Sequence, residues 1–182
     1  MSHQIVSTSK FLSFVLRHHP ESIGLSLDEA GWARVDELID CAARHGRALD
    51  IGLIERVVAE NNKRRFALDE DRSRIRASQG HSVKVDLGLV PRVPPDRLYH
   101  GSATRFMESN LAEGHCPRGR QHVHLSPDRE TAEAVGRRHG KLVVFAVESG
   151  AMAEAGHSFY LSDNGVWLVD EVPARFLAPL AS

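Results

Sequence analysis

Three prolines stand within five positions, at Pro91, Pro94 and Pro95. Each fixes its own φ, donates no backbone hydrogen and pushes the residue before it toward extended geometry. No helix runs through such a stretch, and a central strand would lose ladder bonds there. Residues 89–95 are therefore read as a proline-rich linker, and the chain as two lobes, 1–88 and 96–182. A length of 182 residues suits two small domains. With 42% hydrophobic and 26% charged residues, each can build an ordinary core.

The first lobe is patterned as helices. Ser7 to His19 places Phe11, Leu12, Val15 and Leu16 at helical spacing, with Ser7, Thr8 or Ser9 as cap and Pro20 as stop. Glu21 to Gly31 reads as turns. Val35 to His45 reads as a second helix, ended by Gly46, and Asp50 to Asn61 as a third. Arg65-Phe66-Ala67-Leu68 and Arg74-Ile75-Arg76-Ala77 then alternate around the polar turn Asp69 to Ser73, a hairpin pattern. Three helices followed by a basic hairpin describe a winged-helix module. The second lobe is richer in strands: Leu98–His100, His122–Leu125, the continuous apolar run Leu142–Val147, and Phe159–Leu161 with Val166–Val169 around an Asn164-Gly165 turn. Thr104 to Ala112 and Arg129 to His139 read as helices. The fold class expected is α+β.

Charge is distributed unevenly. The net charge is −1, yet 19 of the 23 basic residues are arginine. Residues 56–84 hold eight basic and four acidic side chains, residues 142–182 one and five. The basic stretch suits a polyanion. No apolar run approaches the roughly 18 residues of a membrane span, and no export signal is seen at the N-terminus. Two cysteines, Cys41 and Cys116, make no disulfide framework. Reduced thiols, a cytoplasmic location and a monomer are expected.

The chemistry lies in arginine–histidine runs almost free of carboxylates: Leu16-Arg17-His18-His19-Pro20, Asn62-Lys63-Arg64-Arg65-Phe66 and Arg118-Gly119-Arg120-Gln121-His122-Val123-His124-Leu125-Ser126, with Leu98-Tyr99-His100-Gly101-Ser102 between the last two. The planar guanidinium fork grips phosphate oxygens, so such runs point to one or two phosphorylated ligands. Gly101 at a strand end lets a ligand approach the backbone. No G-x-G-x-x-G follows a strand and no Walker A pattern is present. His122 and His124 share a strand face as metal ligands do, but no third ligand is evident and Arg120 on that face repels a cation, so no metal is expected.

Taken together with Ser9–His18, Ala77-Ser78-Gln79-Gly80-His81-Ser82 and Asn164-Gly165-Val166-Trp167-Leu168, these runs resemble the NAD-dependent RNA 2′-phosphotransferase family, in family order over nearly the whole chain. The resemblance implies a winged-helix lobe followed by an ADP-ribosyltransferase-like lobe. It implies an RNA with an internal 2′-phosphate and NAD as co-substrate, without a metal. The 2′-phosphate would attack C1″ of the nicotinamide ribose and expel nicotinamide. The ribose 2″-hydroxyl would then attack phosphorus, leaving a 2′-hydroxyl RNA and ADP-ribose 1″,2″-cyclic phosphate.

By that resemblance Arg17, His18, Arg65 and Arg120 form the catalytic set. Arg17, His18 and Arg65, with Arg64 and His81, hold the 2′-phosphate, and Arg120 acts between that phosphate and the NAD ribose. His100, Gly101, Ser102, His124 and Ser126 bind the cofactor. Ser102 stands where the family commonly has threonine. No glutamate is assigned to polarise the ribose. Two other readings compete: an ADP-ribosyltransferase that stops after the first step on a nucleic-acid terminal phosphate or a protein, and a non-enzymatic winged-helix nucleic-acid binder.

Overall fold

The computed structural model describes residues 3–61, 63–117 and 119–180. It is a mixed α and β protein whose chain divides into two compact units, Met1–Gly88 and Leu89–Ser182. Every sheet is small and antiparallel. Among the described residues no helix is long and apolar enough to cross a membrane.

In the first unit, helices α1 (His3–Arg17), α2 (Val35–Arg44) and α3 (Ile51–Ala59) pack with strands β1 (Trp32–Arg34), β2 (Phe66–Leu68) and β3 (Arg74–Ala77). The strand order is β1-β3-β2. α1 buries Ile5, Leu12, Val15 and Leu16 on one stripe, against Leu38, Ile54, Phe66 and Ile75. That stripe explains one departure from expectation. Ile5 extends it by nearly two turns, so the helix begins at His3, and Ser7, Thr8 and Ser9 lie inside it rather than capping it. Asp50 does cap α3, accepting from the Leu53 N–H at 2.8 Å. β1 was not evident in the sequence. Three residues carry little periodicity, and Trp32–Arg34 is extended because it pairs with Arg74–Arg76.

The second unit holds β4 (Leu98–Ala103), α4 (Met107–Glu113), β5 (Val123–Leu125), α5 (Arg129–Gly136), β6 (Leu142–Val147), α6 (Ser149–Glu154), β7 (Phe159–Leu161), β8 (Trp167–Val169) and β9 (Leu177–Pro179). They form two sheets, β4-β6-β9 and β5-β8-β7. An isolated bridge between Tyr99 and Ser126 links β4 to the end of β5. Val143 to Val147 of β6 are all buried, as a strand covered on both faces must be. The core gathers Leu98, Leu125, Phe145, Met152 and Phe159. α5 starts at Asp128, which accepts from the Thr131 N–H at 2.7 Å, and ends earlier than the sequence pattern, in a single 3-10 turn at Arg137–His139. In the β7–β8 turn, Gly165 takes φ 79° while Asn164 does not have a positive φ. Gly165 donates to the Ser162 carbonyl and Ser162 to the Val166 carbonyl, so the turn is centred on Asp163-Asn164 with Gly165 in the bulge position. The stretch read as a linker is partly structured: Pro91 bridges Tyr160, and the Arg92 N–H donates to the Phe159 carbonyl at 2.8 Å.

Candidate functional site

In the first unit a cationic cluster forms at the C-terminal end of α1. Pro20 ends the helix, and the last carbonyl, that of Arg17, accepts the N–H groups of Ser82 (2.9 Å) and Val83 (3.3 Å). This clamp pins residues 81–83 against the helix end. His18 Nδ1 lies 3.0 Å from Ser82 Oγ. The Ser82 hydroxyl itself points to the Arg17 carbonyl at 3.4 Å, so the imidazole N–H is the donor to Ser82. Arg17 Nη2 donates to the Arg65 carbonyl at 3.3 Å, and its guanidinium stands 5.8 Å from the Phe66 ring centre. Arg65 Nη1 donates to Asn61 Oδ1 at 3.4 Å, and Ser78 ties down the carbonyls of Arg64 and Arg65.

His81 sits inside this cluster. It is 1% exposed, and neither ring nitrogen has a hydrogen-bond partner among the described residues. Burial, and then the charges of Arg17, His18 and Arg76, push its pKa from 6.5 down to about 4. A buried neutral imidazole ringed by cations is an arrangement that a dianion would stabilise. The structure thus brings Arg17, His18 and His81 together and ties Arg65 to Arg17 through its carbonyl. It adds Arg76, whose guanidinium lies 4.7 Å from the Trp32 ring centre. Arg64 is exposed with φ 42° and makes the turn into β2; its charge is not among those acting on His81.

In the second unit the assigned residues form a chain of partnered groups. Arg120 Nη1 donates to His124 Nδ1 at 3.2 Å. The His124 carbonyl accepts from His100 Nδ1 at 3.2 Å, which fixes the His100 tautomer with Nε2 as acceptor. Burial lowers the His100 pKa, opposed by that carbonyl and aided by His139, so the ring is neutral. The His115 ring stacks on His100 with centres 3.8 Å apart. His115 Nδ1 donates to Asn110 Oδ1 at 3.3 Å, and Asn110 Nδ2 to Ser102 Oγ at 3.4 Å. Ser102 is buried, and its hydroxyl belongs to this chain.

Gly101 has a further reason to be glycine beside the one the sequence suggested. A Cβ there would lie 1.8 Å from the Ala132 carbonyl oxygen of α5, and one on Gly136 would lie 3.0 Å from the Ser102 nitrogen. The missing side chains let a helix backbone rest on a strand backbone. The polar groups of Gly101 point elsewhere. Tyr99 exchanges both hydrogen bonds with Ser126, at 2.9 and 2.8 Å, so its N–H and C=O turn away from β6. The two-residue period of the strand sends those of Gly101 to the same edge, beyond the single bridge to Ser126. A neutral carboxamide matches one donor and one acceptor so placed. Ser126 contributes its backbone to this corner.

His122 lies 3.6 Å from Asp170 and edge-on to Tyr160. Among the described residues no three His, Cys, Asp or Glu side chains gather to hold a metal. Both cysteines are free thiols, Cys41 buried and Cys116 exposed. Of the motif residues, Asn62 and Arg118 lie outside the described residues. Sequence reasoning missed Arg76, Asn110 and His115. Arg76 was one of several hairpin arginines, and only its alternation with buried Ile75 and Ala77 sets it apart.

The chain matches the model of the RNA 2′-phosphotransferase, Tpt1/KptA family, over residues 3–171. Among its relatives is a protein of Agrobacterium fabrum, 60% identical over 94% of this chain and 92% of the relative. One from Hahella chejuensis is 55% identical over 99% and 97%. One from Acaryochloris marina is 54% identical over 97% of each. All three carry the name "Probable RNA 2′-phosphotransferase".

Proposed function

The chain belongs to the RNA 2′-phosphotransferase, Tpt1/KptA family, and from that premise we propose that it transfers an internal RNA 2′-phosphate to NAD. The products are a 2′-hydroxyl RNA, nicotinamide and ADP-ribose 1″,2″-cyclic phosphate. We take the first unit as a winged-helix lobe for the RNA phosphate and the second as an ADP-ribosyltransferase-like lobe for NAD. The observation that carries the reading is the cationic cluster of Arg17, His18 and Arg76 around buried, unpartnered His81.

A phosphomonoester is largely a dianion near neutral pH, so it is already a nucleophile and needs holding more than deprotonation. Arg17 and Arg65 hold it. In the second step the same cations offset charge on the phosphoryl oxygens, with Arg120. His18, its Nδ1–H directed at Ser82, protonates the departing RNA 2′-oxygen through Nε2. The Gly101 edge and neutral His100 bind the nicotinamide end, while His124 and Ser126 serve the ribose and pyrophosphate. NAD supplies the electrophilic ribose carbon.

The test is incubation with a short RNA bearing one internal 2′-phosphate, with and without NAD, in EDTA. NAD-dependent loss of the phosphate with release of ADP-ribose cyclic phosphate is expected. A product that keeps the phosphate and gains ADP-ribose would assign the chain to one-step ADP-ribosyl transfer. No reaction and no NAD binding would leave a nucleic-acid binder.

A further inference from the structure

Apart from Arg17, the solvent face of α1 carries features that the phosphate cluster does not use. His3, Lys10, Phe14 and Arg17 recur at spacings of seven, four and three, so they lie along one line of the helix. This line is opposite the buried stripe of Leu12, Val15 and Leu16. Phe14 on it is 47% exposed and Val6 beside it 40%. A cleft of about 440 Å³ opens along this face, lined by His3, Val6, Lys10, Phe11, Phe14 and Arg47, with Ser7 at its wall. That volume is in the range of small-ligand pockets.

The lining is aromatic and basic, without a carboxylate. α1 itself contains no Asp or Glu. Arg47 is pre-positioned: its Nη2 donates to Ser7 Oγ at 2.9 Å, and its guanidinium lies 4.5 Å from the Phe11 ring centre. Neither Lys10 nor Arg47 makes an ion pair among the described residues. Phe14 packs against His19 with the rings tilted by 36° and centres 4.9 Å apart, and Glu21, outside the cleft lining, accepts from His19 Nδ1 at 3.0 Å. A cationic groove with a planar ring on its floor is the chemistry that binds single-stranded nucleic acid: cations track the phosphates, and an aromatic face accepts any base. From Lys10 to Arg17 the helix rises about 10 Å, so the cleft leads directly to the phosphate cluster.

We propose that this face of α1 seats the single-stranded RNA flanking the phosphorylated nucleotide, with a base on Phe14 and backbone phosphates on Lys10 and Arg47. The inference rests on the RNA 2′-phosphotransferase reading and extends it from one phosphate to the neighbouring chain.

The test compares a minimal 2′-phosphorylated dinucleotide with the same unit carrying several flanking nucleotides on either side. Wild type, Phe14→Ala and Lys10→Glu are assayed for KM and kcat, and for equilibrium binding of the long RNA by fluorescence anisotropy without NAD. Thermal melts check folding. In the wild type, flanking nucleotides should lower KM and tighten binding. Phe14→Ala should reduce that gain by about tenfold, and Lys10→Glu should reduce it and flatten the salt dependence of binding. Absence of any gain from flanking nucleotides in the wild type, or a full gain in both folded variants, overturns the proposal. Failure of the wild type to turn over even the minimal substrate would instead count against the activity itself, and the NAD-independent binding comparison would still decide the role of the cleft.

Discussion

The two units handle polar groups in opposite ways. At the end of α1, like charges are gathered: Arg17, His18 and Arg76 act on a His81 that has no hydrogen-bond partner among the described residues. Around β4 and α4, almost every group is answered by another: Arg120 by His124, the His124 carbonyl by His100, His115 by Asn110, and Asn110 by Ser102. The first arrangement is a cost to the folded chain that an anion repays. The second is a finished network that presents neutral donors and acceptors in fixed directions. Under the proposed reading, a charged phosphate and an uncharged carboxamide would call for these two solutions.

The sharpest break in this comparison is removal of a cation. Arg17→Ala should lower kcat/KM on a 2′-phosphorylated RNA by about 10²–10³-fold, while the thermal shift produced by NAD persists. Equal loss of the NAD shift would mean that the division of labour is wrong. His18→Ala should instead stall after the first step and accumulate ADP-ribosylated RNA, visible as a slower-migrating product on a gel; normal turnover would remove His18 from the leaving-group role.

Gly101→Ala tests the other side by packing. Its Cβ would press on the Ala132 carbonyl, so stability should fall by about 3 kcal/mol or more. A melt that leaves Tm unchanged while NAD binding is lost would return Gly101 to a purely ligand-facing role.

Acid sharpens the comparison further. His81 is held neutral with a pKa of about 4, against 6.5 for the ordinary imidazole, so between those values the unfolded chain binds the extra proton. The stability it contributes is fully present above pH 6.5 and is lost as pH falls toward about 4, by up to about 3 kcal/mol. His81→Gln should flatten denaturation midpoints across that window; an unchanged slope would place the titration elsewhere. The smallest effect expected is that of Asn110→Ala. One link of the neutral chain is worth about 1 kcal/mol, or roughly a fivefold rise in the KM for NAD, with RNA binding unaltered.

Local pattern carried much of this into view from sequence. Leu142–Val147 read as a buried strand because six apolar residues in a row admit little else, and the β2–β3 hairpin was visible in the alternation around Asp69–Ser73. What stayed hidden depends on partners distant in sequence. Trp32–Arg34 is a strand because Arg74–Arg76 lies beside it, and Arg76 joins the cluster through that same pairing. His115 matters because its ring meets His100, fifteen positions earlier. Gly101 was noticed for its residue type, but only the fold reveals that α5 also lies against it. Spacing leaves Phe14 out of the apolar face, and in the structure it is 47% exposed.

The contact between Gly101 and Gly136 has a mechanical side. Where two backbones meet this closely, with only Leu142 Cδ1 beside the seam, little is free to repack. Such a seam is nearly incompressible, and squeezing it releases no hidden volume to favour unfolding. β4 and α5 therefore shift only as one piece. A tilt of the helix therefore carries to the strand edge where Gly101 presents its amide.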